Sequence, residues 1–328
     1  GNKSLSSEVS QLYYTGFIPF CVYTRYFTLP ISSILNKKKK EIMKYFFRDI
    51  NWYRIGWILI LGFLTMTASD VLKFLLIPEV SKSNPYWYTF MSYFNFISLW
   101  IVVLLVVYYF PNNRYIKEAI LKNTKGNTYG LLSWGLFLGF LLNSFCALIA
   151  FWNGDIHLDF KGFELLPVIG LFVAVFIQSS AEEVFCRGFL YQKLLKADAR
   201  PIFAIVINSL FFSLLHFFND GVSLLAFYDL LITGVFFSLV VYYFDSLWMA
   251  MGLHATWNFT QSILLGLPNS GESFPYSVFH LDLNRVHDSF AYNSAFGLEG
   301  TFLSSFIMTV ACIVLYIYKR KDKNLFWK

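Results

Sequence analysis

The chain has 328 residues, 57% of them hydrophobic and only 14% charged, with a mean hydropathy of +0.54. A soluble chain carries about 25% charged residues to cover its surface, so a water-soluble globule is excluded. The formal net charge of +6 does not indicate nucleic acid, because the basic residues lie in short runs between apolar segments, as in loops that face the cytoplasm.

Residues 1–42 contain an aromatic-rich stretch, Leu12 to Leu35, broken by Pro19, Arg25 and Pro30. They make a poor spanning helix and are expected to be a dispensable, poorly ordered extension. Met43, just after the run Lys37–Glu41, is a natural start for a membrane domain over 43–328. A spanning helix needs about 20 mostly apolar residues. About eight segments meet that need: 55–77, 86–110, 129–152, 165–190, 201–218, 222–244, 246–267 and 302–318. The expected fold is therefore all-α, a polytopic transmembrane helix bundle. Lys and Arg concentrate before the first segment, in alternate loops (Arg114 to Lys125, Lys193 to Arg200) and after the last (Lys319 to Lys323). That alternation predicts both termini in the cytoplasm. Gly135 and Gly139 form one GxxxG, a helix-packing signal. Cys21, Cys146, Cys186 and Cys312 are scattered, with no CxxC, and read as small buried hydrophobes.

Ionisable groups inside apolar spans are costly and mark function. The fourth segment carries Glu182, Glu183 and Arg187 after a charge-free run from Leu165 to Ala181. Glu183 and Arg187 are spaced i, i+4 and can pair, while Glu182 is turned about 100° away on the helix. The fifth segment ends in His216, with Phe212 one turn earlier to wall the same face. The seventh carries His254 and Asn258, again i, i+4. Asp70 and Lys73 in the first segment read as a structural pair, and Asp229 in the sixth is a candidate supporting acid behind the site. Singly, each set also fits an ion-paired kink or hydrogen-bonded helix packing. Together they form a hydrolytic toolkit: a carboxylate to take a proton from water, a histidine to orient that water, and donors to hold an oxyanion.

The three sets, Glu182-Glu183-xxx-Arg187, Phe212-xxx-His216 and His254-xxx-Asn258, resemble the EExxxR, FxxxH and HxxxN motifs of the CAAX-protease and bacteriocin-processing family, also called CPBP or Abi. The likeness covers about 165–265. It implies an intramembrane endopeptidase of eight-helix type acting on a membrane-associated peptide or protein, lipidated in some relatives. In that reading Glu182 is the general base, His216 assists, and His254 and Asn258 stabilise the oxyanion. Glu183, Arg187 and Phe212 support them. No cofactor is required, although Glu182, His216 and His254 are also candidate ligands for zinc with water in the fourth position. Two alternatives stand beside this reading. One is a non-catalytic scaffold or bacteriocin-immunity protein. The other is a transporter using the same groups as a proton relay, which lacks the expected repeat symmetry. The many Lys, Asn, Ile and Phe suggest a bacterial cytoplasmic membrane. The depth of His216, about 22 Å along its helix from Pro201, is in tension with a site shared with Glu182.

Overall fold

The computed structural model describes residues 50–122, 124, 126–198 and 200–326; the expected extension over 1–42 lies outside them. The described chain is predominantly helical. Its longest elements are α1 (Trp52–Leu76), α2 (Pro85–Phe94) with α3 (Ile97–Tyr109), α5 (Tyr129–Trp152), α6 (Leu165–Glu183), α9 (Leu224–Phe244) and α11 (Phe302–Lys319). Shorter helices are α4 (Arg114–Ile120), α7 (Tyr191–Ala197), α8 (Pro201–Leu215) and α10 (Leu247–Asn258). Starts follow local chemistry. Asn84, Thr128, Ser223, Ser246 and Thr301 each accept a bond from a first-turn backbone N–H, which satisfies donors that a helix N-terminus leaves free.

Among the described residues, six helices are long and apolar enough to cross a membrane: Trp52–Leu76, Pro85–Tyr109, Tyr129–Trp152, Leu165–Ala197, Leu224–Phe244 and Phe302–Lys319. The predicted fifth and seventh spans are helical but shorter. α8 stops at Leu215 after 15 residues, about 22 Å at 1.5 Å per residue, against a hydrocarbon core of about 30 Å. α10 is 12 residues long and continues as a π-helical turn over Phe259–Leu264. α10 is buried over nearly its whole length, whereas α8 buries one face and leaves Val206, Leu210 and Leu214 exposed.

The connections gather at two ends. At one, the Lys193 ammonium donates to Asn113, Gly126 N–H to the Asp245 carbonyl, Trp248 indole to the Ile120 carbonyl, and Lys323 to the Tyr242 carbonyl. This end holds the basic loops. At the other, Leu158–Phe160 pairs antiparallel with Phe279–Leu281. There Asn219 donates to the Ser270 carbonyl and Ser289 to Asp155. The long connection 265–301 folds back into this end and is largely buried near Leu298–Thr301.

The GxxxG pair sets the central contact. A methyl group added at Gly135 would strike the Met249 carbonyl, and one at Gly139 the Leu253 carbonyl and the Thr256 hydroxyl. α5 and α10 therefore touch backbone to backbone, as small residues permit in membranes. Thr256 reinforces the contact by donating to the Leu136 carbonyl at 2.8 Å. This fixes the helix that carries His254. Cys146, Cys186 and Cys312 are buried and free, as expected, and Cys21 lies outside the described residues.

Candidate active site

Three elements bring the polar set together. Glu182 and Glu183 end the α-helical part of α6, and the chain continues as a π-helix over Val184–Leu190. Asn258 ends α10, which widens in the same way directly afterwards. Single π turns inside helices are frequent at functional sites. The first π segment carries Arg187 itself, and the second follows Asn258 directly. His216 is the C-terminal cap of α8.

Glu183 and Arg187 are fully buried and paired, with Arg187 Nη1 donating to Glu183 Oε1 at 2.9 Å. Arg187 Nη2 donates to the Gly234 carbonyl at 3.1 Å, which ties α6 to α9. The guanidinium lies 4.6 Å from the Phe212 ring centroid and 5.4 Å from that of Phe237, so aromatic faces replace the water it has lost. The same Glu183 oxygen accepts from His254 Nδ1 at 2.9 Å. This bond fixes the imidazole and turns Nε2 towards Glu182 Oε2, 3.8 Å away. The two adjacent acids therefore divide their work. Glu183 is a buried anchor, whereas the Glu182 side chain keeps 16% of its surface open to the cavity.

Glu182 Oε1 accepts from Gln178 Nε2 at 2.7 Å. Asn258 Nδ2 donates to Gln178 Oε1 at 3.1 Å and reaches Ser179 Oγ at 3.2 Å. These two acceptors lie 2.9 Å apart on one side of the amide, so Asn258 Nδ2 is turned towards α6. His216 Nδ1 donates to the Phe212 carbonyl at 2.9 Å, and its ring lies 4.7 Å from that of Phe212, which leaves Nε2 as its open nitrogen.

Glu182, His216, His254 and Asn258 all line one cavity of about 450 Å³, with Phe212 in its wall. His216 shares the cavity because α8 ends early and because loop residues Asn269, Ser270, Glu272 and Glu299 come in to line it. That removes the depth tension. A second cavity, between the end of α1 and the start of α2, shares Lys73, Tyr88, Ser92 and Asn95 with the first. Lys73 does not form the expected pair with Asp70: both are exposed, and Lys73 stands at the junction of the two cavities. Asp229 lies outside the cavity, where its Oδ2 accepts from Gly300 N–H and Ser304 Oγ.

Sequence reasoning singled out neither Gln178 nor Glu299, nor the loop residues Asn269, Ser270 and Glu272 that line the cavity. Gln178 sits one turn before Glu182 in a run notable for lacking charge, and a neutral amide gave no signal there. Glu299 belongs to the long loop and is buried, accepting from Trp257 Nε1 at 2.7 Å and Gln261 Nε2 at 2.6 Å. Burial pushes its carboxyl above the ordinary range, and those two donors oppose the shift. Among the described residues no group of three or more His, Cys, Asp or Glu side chains is spaced to hold a metal ion. No curated protein matches the chain. Residues 164–260 match the family model described as Type II CAAX prenyl endopeptidase Rce1-like, and the likeness to the CAAX-protease and bacteriocin-processing family, carried by the three motifs, is thereby shown over that segment.

Proposed function

We propose that this multi-pass membrane protein is a glutamate-dependent intramembrane endopeptidase. One observation carries the reading: Glu182 Oε2 and His254 Nε2 face each other at 3.8 Å across a shared cavity, with the imidazole fixed from behind by Glu183. The gap suits a water molecule or a developing oxyanion bridging the two groups.

In the proposed reaction a water beside Glu182 gives a proton to Oε2 as its oxygen attacks the scissile carbonyl. His216 Nε2 helps to orient that water. The carbonyl oxygen becomes an oxyanion and takes a bond from His254 Nε2–H, whose direction is fixed by Glu183 on the other ring nitrogen. Glu182 then passes its proton to the leaving amine as the carbon–nitrogen bond breaks. The products are a carboxylic acid and an amine, and no acyl-enzyme forms.

The substrate in this proposal is a membrane-associated peptide or protein. The matched family's description favours a lipid-bearing one, and the cavity between α1 and α2 offers a side entrance. The basic loops share one end of the bundle, which supports eight passes with both termini in the cytoplasm. The cavity mouth, lined by Ser270 and Glu272, then faces outwards from a bacterial cytoplasmic membrane.

The test is cleavage by purified Glu182→Ala and His216→Ala proteins in micelles. Each should lose about 10²- to 10⁴-fold in rate while keeping the wild-type elution profile. Full activity in Glu182→Ala would end the reading in favour of a non-catalytic scaffold.

A further inference from the structure

We infer that Gln178 is a positioning residue that selects which oxygen of Glu182 reacts, and that Asn258 acts through it. The inference rests on the proposed role of Glu182 as base. Four side chains form a directed chain of hydrogen bonds. Asn269 Nδ2 of the long loop donates to Asn258 Oδ1 at 3.0 Å. Asn258 Nδ2 donates to Gln178 Oε1 at 3.1 Å, and Gln178 Nε2 donates to Glu182 Oε1 at 2.7 Å. Ser179 Oγ adds a second donor to Gln178 Oε1 at 2.9 Å. Gln178 is buried, at 8% exposure.

The chain has one workable polarity. Turning the Gln178 amide over would set its oxygen against a carboxylate oxygen and its NH₂ against two donors. Asn258 and Ser179 therefore lock Gln178 with its N–H towards Glu182. Glu182 Oε1 is then occupied, and Oε2, facing His254 Nε2 at 3.8 Å, is the oxygen left to take a proton from water. A free carboxylate would rotate and present either oxygen. The bond from Gln178 holds it in one orientation, a form of preorganisation that acts on turnover more than on substrate affinity. The motif asparagine is thus placed to orient the base from behind, and its effect runs through an amide that the motif does not include.

The test uses full-length protein in micelles and a quenched-fluorescent peptide library, followed by the single peptide it cleaves best. Gln178→Met keeps the length of the side chain and removes the donor. A hydrogen bond to a charged group is worth about 10- to 100-fold, so kcat should fall by that factor with KM held within about twofold. The acidic limb of the kcat/KM profile should move to higher pH, since a carboxylate stripped of a donor takes up its proton more readily. Gln178→Glu, with a second carboxylate in the same place, should move that limb further in the same direction. Asn258→Ala combined with Gln178→Met should be no slower than the slower single variant, because the two act in series. An unmoved acidic limb in both Gln178 variants, or losses that multiply in the double variant, would overturn the inference. If Glu182→Ala itself retains activity, the base assignment fails instead, and the two failures are distinct.

Discussion

Arg187 shows how much a single buried charge depends on its geometry. It is fully buried and meets two acceptors on two helices, Glu183 and the Gly234 carbonyl, between the rings of Phe212 and Phe237. A planar fork can serve both acceptors at once, whereas an ammonium is a point charge on a flexible stem. Arg187→Met leaves Glu183 buried without its cation and should cost about 3–5 kcal/mol of stability. Arg187→Lys keeps the charge but loses one of the two anchored bonds, and should cost about 1–3 kcal/mol. Thermal unfolding in micelles measures both, and an Arg187→Met protein as stable as wild type would show that the pair is not what holds α6 to α9. At this scale the sequence was a good guide for the buried pair, though not for Asp70 and Lys73, which are exposed and unpaired with each other. The i, i+4 spacing of Glu183 and Arg187 was enough to pair them, because two residues four apart on a helix have no choice but to be neighbours. Gln178 has the same spacing from Glu182 and the same consequence, yet an uncharged amide in an apolar run does not announce a cost. The split between Glu182 and Glu183 was legible only as a rotation; that His254 would take its anchor from Glu183 needed the packing of α10 against α6.

At the scale of the helix, α10 is placed by what α5 lacks. The Gly139 position faces the Leu253 carbonyl and the Thr256 hydroxyl so closely that a methyl group has no room. Backbone cannot step aside as a flexible side chain can. Gly139→Ala should therefore push α10 away, costing about 1–3 kcal/mol as overpacking, and should lower kcat because His254 sits between those two contact residues. Gly130 lies at the start of the same helix with only the Thr128 hydroxyl within reach, so Gly130→Ala should be neutral or stabilising by about 0.5–1 kcal/mol. Unfolding midpoints and rates for the two variants check the pair, and equal behaviour would mean that the α5–α10 contact does not position the site. The positions of these helices were legible from hydropathy, since long apolar runs have one use in a membrane. Their lengths were not. α8 is as apolar as a true span and is cut short at His216, whereas α10 is less apolar and gives way to a π turn after Asn258.

For the molecule as a whole, the decisive feature is the connection 265–301, on which the apolar pattern of the spans is silent. It folds back into the bundle and supplies Asn269, Ser270, Glu272 and Glu299 to the cavity, contacts across large separations in the chain that periodicity does not report. Glu299 is its anchor. Trp257 and Gln261 both donate to its carboxylate, Gln261 is itself bonded by Asn143 of α5, and the adjoining Gly300 N–H donates to Asp229. Burial raises the Glu299 carboxyl above its ordinary range. A carboxyl raised on folding binds a proton in the native state that the unfolded chain has already released. Its contribution to stability is therefore complete below the unfolded value of about 4.3, and is lost as pH rises through the raised native value. Glu299→Gln removes this titration while keeping the shape of the protonated acid. Wild type should lose stability relative to Glu299→Gln as pH rises above about 4.3, and unfolding midpoints of the two proteins across that window measure the difference. Parallel curves would mean that the buried acid titrates as it does in water. Glu299→Ala goes further, leaving the Trp257 and Gln261 donors buried without an acceptor at about 1–3 kcal/mol each. It should also free the loop to protease at the cavity mouth at a temperature where the helices stay folded. Loss of that loop should take peptide cleavage with it, because the chain of amides that aims Glu182 begins at Asn269.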